Sequence, residues 1–135
     1  MSINADWEKF LGGPIKAQGT EARVTIAGRK TITFNSFVFD RLGKPEAVEL
    51  FYNRREMKIG VKKTSPRFNE AFPVHRVQDT SGTRYINAAS FCIHHGIDVN
   101  GTNKFLRPDF IGDRMLVLNL NETIVVTRVR NRKDR

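Results

Sequence analysis

The sequence predicts a mainly β domain with two short helices, and three observations carry that reading. Apolar and polar residues alternate over 22–34 and again over 57–63, the period of a half-buried strand. Clusters of Gly, Asn, Asp and Ser interrupt these runs at short intervals, as turns between short strands do. The order of elements in the first half returns in outline in the second. A pseudo-two-fold β-barrel built from an internal repeat is therefore expected.

Residues 1–20 read as an N-terminal arm. Within it, Trp7, Phe10 and Leu11 share one side of a helical turn that Gly12-Gly13-Pro14 stops. Val24 and Ile26 before, and Ile32 and Phe34 after, mark two strands joined by a turn at Ala27-Gly28-Arg29-Lys30. Asn35-Ser36 supplies capping oxygens for a helix over 37–42, with Val38 and Leu42 on one face. Gly43 closes it as a left-handed cap and Pro45 lies just beyond. Strands over 47–52 and 57–63 flank a turn at Asn53-Arg54-Arg55-Glu56, and residues 65–71 form a linker.

The second half opens with strands over 74–77 and 83–86 around the turn Asp79-Thr80-Ser81-Gly82. Asn87 then starts a helix over 88–95 that ends on Gly96, and a looser stretch holds Leu106, Phe110 and Ile111. Strands over 115–120 and 123–129 follow the turns Gly112-Asp113 and Asn121-Glu122. The half-units are thus 22–64 and 72–127 of one domain, 21–127, with a basic tail over 128–135. Each half is too short to bury its own apolar face and needs the other. The second half takes the place of a partner chain, so a monomer is expected.

Composition narrows the function. The chain has 23 Lys and Arg against 14 Asp and Glu, a net charge of +9. Two clusters hold that excess, +5 over residues 54–67 and +4 over residues 128–135. Clustered basic charge favours polyanionic partners, nucleic acid foremost. Asp6 and Glu8 interrupt the opening stretch where a leader would be apolar, and no run reaches the roughly 18 apolar residues of a membrane span. With one cysteine, Cys92, no internal disulfide framework is possible. A cytoplasmic protein without membrane contact is expected.

Candidate chemistry is sparse. No phosphate-cradling glycine loop or dinucleotide fingerprint is present. Cys92 and His95 have the helical spacing of a thiolate–imidazole pair, with His94, Asp98 and a distant His75. Neither an oxyanion site nor an orienting third residue accompanies them. Zinc would want Cys-x₂-Cys or His-x₃-His pairs, which the sequence lacks. The expectation is no enzyme activity, no metal and no cofactor, with Cys92 buried. Phe34, Phe37, Phe39, Phe91 and Phe105 are expected in or beside the core, and Tyr52 at the rim.

The segment over 22–63 resembles one unit of the AbrB-like swapped-hairpin family, the SpoVT, AbrB and MazE type. Gly28-Arg29, Ile32-Thr33-Phe34-Asn35, Leu42-Gly43 and the strands over 47–52 and 57–63 carry the resemblance. It implies a barrel of two interlocked units, here both from one chain, and a DNA-binding regulator of transcription. The chain also resembles small uncharacterised bacterial proteins with a similar Gly-Lys-Pro-Glu-Ala-Val-x-Leu stretch. By the resemblance, Arg23, Arg29, Lys30 and Arg41 would contact nucleic acid. The sequence departs from the family in placing Asn35 where a proline usually opens the helix. Phe39-Asp40 stands where regulators carry an Arg pair, and Asp40 would repel phosphate.

Double-stranded DNA is accordingly the expected partner, with RNA the variant of that reading. Arg54, Arg55, Lys62 and Lys63 would widen the surface, and Arg128, Arg130, Arg132 and Lys133 would follow the backbone. The alternative is a non-enzymatic protein-interaction barrel, in which the basic charge only solubilises.

Overall fold

In a computed structural model, residues 21–78, 80, 82–112 and 114–126 are described. Strands β1 (Val24–Ala27) and β2 (Thr31–Phe34) pair antiparallel, with Ile26 opposite Ile32. Their alternation works as anticipated: Val24, Ile26, Ile32 and Phe34 are buried and the residues between them only partly so. The turn closes through the Lys30 N–H, which donates to the Ala27 carbonyl at 2.8 Å. Gly28 donates to the Gly101 carbonyl at 2.7 Å, and a β-carbon there would lie 3.2 Å from the Val99 oxygen. That close approach of two backbones explains the glycine.

Asn35 caps α1 (Ser36–Arg41), its Oδ1 accepting from the Val38 N–H at 3.2 Å. At the other end Gly43 donates to Asp40 and Lys44 to Phe39, the paired bonds of a Schellman cap, with Gly43 at φ 91. Helix α2 (Ala89–His95) ends the same way, with Gly96 donating to Ile93 and Ile97 to Cys92. Its start differs from expectation. Ala88 occupies the cap without a side-chain bond, and Asn87 instead accepts from Ala89 two residues on.

The remaining strands are β3 (Ala47–Asn53), β4 (Lys58–Thr64), β5 (Phe72–Pro73), β6 (His75–Arg76), β7 (Arg84–Asn87), β8 (Thr102–Phe105), β9 (Asp109–Ile111), β10 (Met115–Asn119) and β11 (Thr123–Val125). They form two antiparallel sheets, ordered β11-β8-β1-β2-β7-β6 and β5-β3-β4-β10-β9. The protein is mainly β with two short helices. Strands of the two halves interleave: β1 pairs with β8, β2 with β7, β3 with β5 and β4 with β10. One core gathers Val24, Phe34, Val48, Val61, Phe105, Leu116 and Leu118 from the sheets. Val38 and Leu42 of α1 and Phe91 and Cys92 of α2 complete it.

Three sequence readings need correction. The looser stretch after α2 contains β8 and β9, so four strands follow α2 where two follow α1 within residues 22–64. With three strands before α2 and four after it, the second half does not reproduce the element order of the first. The strand expected over 74–77 is shortened to His75–Arg76, which joins β7, and a separate strand just before it, Phe72–Pro73, joins β3. Here one short segment serves both sheets, and Val74 lies between the two pieces with its N–H on the Glu46 carbonyl. The helix expected over 37–42 is displaced by one residue, because Leu42 is its C-terminal cap. The arm over 1–20 and the tail beyond Val126 lie outside the described residues.

Candidate nucleic-acid interface

Most of the candidate basic residues that the structure describes gather at two places. The first surrounds the C-terminus of α1. Lys63 reaches from β4 to donate to the Gly43 carbonyl at 3.0 Å, a cation on the negative end of the helix. A β-carbon built on Gly43 would meet Arg114 Nη1 at 3.0 Å and Lys63 Cδ at 3.3 Å, so both cations pack over this glycine. Lys44, Lys62, Lys63 and Arg114 line an open groove of about 630 Å³ with Glu46, Thr64 and Ser65. Arg114 also borders a neighbouring hollow with Asp40, Arg41 and Phe110. The Arg41 guanidinium lies over the Phe110 ring at 4.6 Å, which holds its planar donor fork in place.

These five cations are exposed. Among the described residues, none of Arg41, Lys44, Lys62, Lys63 and Arg114 is paired with a carboxylate. Asp40 and Glu46 are the acids lining the groove and its neighbouring hollow. The surface can therefore neutralise several phosphates without first breaking ion pairs.

Sequence reasoning named Arg41, Lys62 and Lys63 of this group and missed Lys44 and Arg114. Lys44 follows the left-handed Gly43 and is itself at φ 52. Its place just past a helix end was the available signal. Arg114, at φ 66, is delivered by the hairpin that sets β10 beside β4. No local pattern reports that.

The second surrounds the C-terminus of α2. Arg54 donates to the His95 carbonyl at 3.4 Å, lies 3.2 Å from His95 Nδ1, and stacks over Tyr52. Arg55 is exposed in the same turn. Lys30 lies 3.8 Å from Asp98 and half-buried, and Arg29 is exposed at the hairpin tip. Arg54 and Lys30 are thus engaged within the fold. Arg23, whose N–H donates to Asn35 Oδ1, sits at the opposite end of its hairpin from Arg29. The row of Arg23, Arg29, Lys30 and Arg41 is therefore not brought together: Arg23 lies beside the start of α1, Arg41 at its end, and Arg29 and Lys30 at the hairpin tip near Asp98. Arg128, Arg130, Arg132 and Lys133 lie outside the described residues.

The thiol and imidazoles are arranged for packing. Cys92 is fully buried, and burial raises its pKa while Lys30 pulls the other way. His95 packs against Tyr52 and Phe91 at 4.8 and 4.9 Å between centroids. Its pKa is lowered by partial burial, then by His94 and Arg54. Among the described residues no cluster of three His, Cys, Asp or Glu could hold a metal ion. No helix there is long and apolar enough to cross a membrane.

The fold and this surface define a two-sheet β protein with a basic groove at one helix end. No protein-family model matches the chain, and neither the curated proteins nor the solved structures contain a match.

Proposed function

We propose that the chain binds double-stranded DNA through the groove at the α1 C-terminus, acting in the cytoplasm as a non-enzymatic regulator of transcription. The observation that supports it is the convergence of Lys44, Lys62, Lys63 and Arg114 around one groove, with Arg41 in the adjoining hollow, and with no carboxylate partners among the described residues. Lysines track phosphates as point charges, and the arginine forks suit phosphate oxygens or base edges. Arg128, Arg130, Arg132 and Lys133, next in the sequence, add charge to the same chain.

Fluorescence anisotropy on duplex DNA, single-stranded DNA and RNA across a salt series tests this reading. With five phosphate contacts, log affinity for duplex is expected to fall against log salt with a slope of about −4.5. The variant Lys62→Ala/Lys63→Ala/Arg114→Ala should flatten that slope by nearly 3 and weaken all duplexes alike, each contact contributing about 0.9. Duplex affinity weaker than about 10⁻⁴ M at ~50 mM salt eliminates the DNA reading. Binding to single strands alone transfers the site to RNA.

A second reading, a protein-interaction module, is favoured by the outer face of the five-stranded sheet. There Phe51, Ile111, Met115 and Val117 line a groove of about 330 Å³ over Gly60, an apolar exposure typical of protein contacts. A stoichiometric protein partner retained after nuclease and moderate salt, and lost in Val117→Glu, would support it.

A further inference from the structure

We propose that the outer face of the six-stranded sheet holds a nucleotide unit, its base stacked on Tyr85 and its phosphate on Arg29. This face shares no residue with the α1 groove and does not rest on the duplex reading. Register sets its floor. Thr33 of β2 lies opposite Tyr85 of β7, and Thr31 opposite Asn87. Ile32 and Ile86, paired between them, are buried, so strand alternation turns the flanking four side chains outward. Arg29, exposed at the hairpin tip, and Val77 complete a hollow of about 490 Å³.

One wall is an aromatic ring already held in place. His75 of β6 lies opposite Tyr85, and the two rings stack at 5.0 Å and 28°. Strand order puts His75 on the β6 side of Tyr85 and the threonines on the β2 side, so the second face of the ring borders the hollow. The other polar groups lack partners within the fold. Among the described residues, the side chains of Arg29, Thr31 and Thr33 and the Tyr85 hydroxyl make no hydrogen bond or ion pair. Asn87 engages only Oδ1, which accepts from the Ala89 N–H. No acid among the described residues lines the hollow. The described chain is entered at Glu21, beside Asn35 and at the far end of the β1–β2 hairpin from Arg29. It is left beyond β11, four strands from β7.

These groups select the occupant. An aromatic wall takes a flat ring, and base–aromatic stacking accepts any base. Hydroxyls and an amide donor on the floor suit the hydrogen-bonding edge of a base that stands against that wall. An unpaired guanidinium with no acid in the lining calls for an anion, which a nucleotide supplies and a neutral sugar does not. A single strand and a free nucleotide both present this unit. A duplex, whose bases are already paired and stacked, does not.

The test uses the full chain and a six-nucleotide RNA carrying one fluorescent adenine analogue whose emission falls on stacking, with AMP as competitor. Binding with quenched emission is expected. Tyr85→Leu, which keeps apolar bulk, should weaken binding roughly ten- to a hundredfold, whereas Tyr85→Phe, which keeps the ring, should stay close to wild type. The Leu variant removes no charge and should leave the salt slope unchanged, while Arg29→Ala should flatten it by about 0.7. The Lys62→Ala/Lys63→Ala/Arg114→Ala variant should retain the quench.

Circular dichroism establishes that each variant is folded. Should Tyr85→Leu unfold, the salt slope of the exposed Arg29 variant decides alone. AMP that displaces the RNA at comparable concentration assigns a free nucleotide as the source of the unit; RNA held against excess AMP assigns a single strand. Absence of quenching up to submillimolar protein overturns the proposal. So does a folded Tyr85→Leu that quenches as wild type does, an equal loss in Tyr85→Phe, or a salt slope unmoved by Arg29→Ala.

Discussion

Asn35 ties three backbone groups, two before β1 and one in α1, through one side chain. Its Oδ1 accepts from Val38 and from Arg23, and its Nδ2 donates to the Glu21 carbonyl at 2.7 Å. The cap was legible in the sequence because an Asn before an apolar run has one common use. The bonds to Glu21 and Arg23 were not, since they depend on β1 returning beside the helix start. A proline at this position could make none of these side-chain bonds. Asn35→Ala should destabilise the fold by about 2 kcal/mol, the cap contributing ~1 and the extra bonds the remainder. Asn35→Asp keeps the acceptor and loses the donor, and should cost about half as much. Urea unfolding midpoints check both.

At the scale of elements, β1, β2 and β10 alternate buried and half-buried residues, while β3 buries the adjacent Ala47 and Val48 and β4 the run Ile59, Gly60 and Val61. Strand β8, Thr-Asn-Lys-Phe, has no such signature. It is a strand because β1 and β11 flank it, an instance of tertiary pairing outweighing local pattern. The end of α2 has a measurable consequence. His95 is held between Tyr52, Phe91 and Arg54 with its pKa below the ordinary 6.5. The folded state therefore takes up this proton less readily than the unfolded chain. Its contribution to stability is present above pH ~6.5 and is lost as pH falls through the lower folded value. Urea midpoints at pH 7.5 and 5.5 should show a drop that His95→Gln reduces; an unchanged drop would assign it to other groups.

The whole molecule decides where the candidate interface lies. Lys62 and Lys63 are adjacent in sequence and could be read there. Their union with Lys44 and Arg114 needs a helix cap, strand β4 and the β9–β10 hairpin to meet. Charge was therefore legible as a total and not as a map. The interleaved strands also govern how the chain tolerates a break. Residues 66–70 are exposed, and strand pairing between the halves does not pass through them. A protease nick within 65–71 should leave one particle, heavier only by the water of hydrolysis, under native conditions, with fragments separating only in denaturant. Mass spectrometry before and after urea reports this directly.

The same interleaving sets a timetable during synthesis. Strand β1 needs β8 on its outer side, Thr25 pairing with Lys104. At ~5–20 residues per second, the roughly 80 intervening residues take about 4–16 s to emerge. For that time the first hairpin has formed neither β1–β8 nor, initially, β2–β7, and Ile26, Ile32 and Phe34 await most of their covering. The nascent chain must hold these apolar groups out of wrong partnerships for seconds, an interval in which chaperone capture competes with completion of the fold.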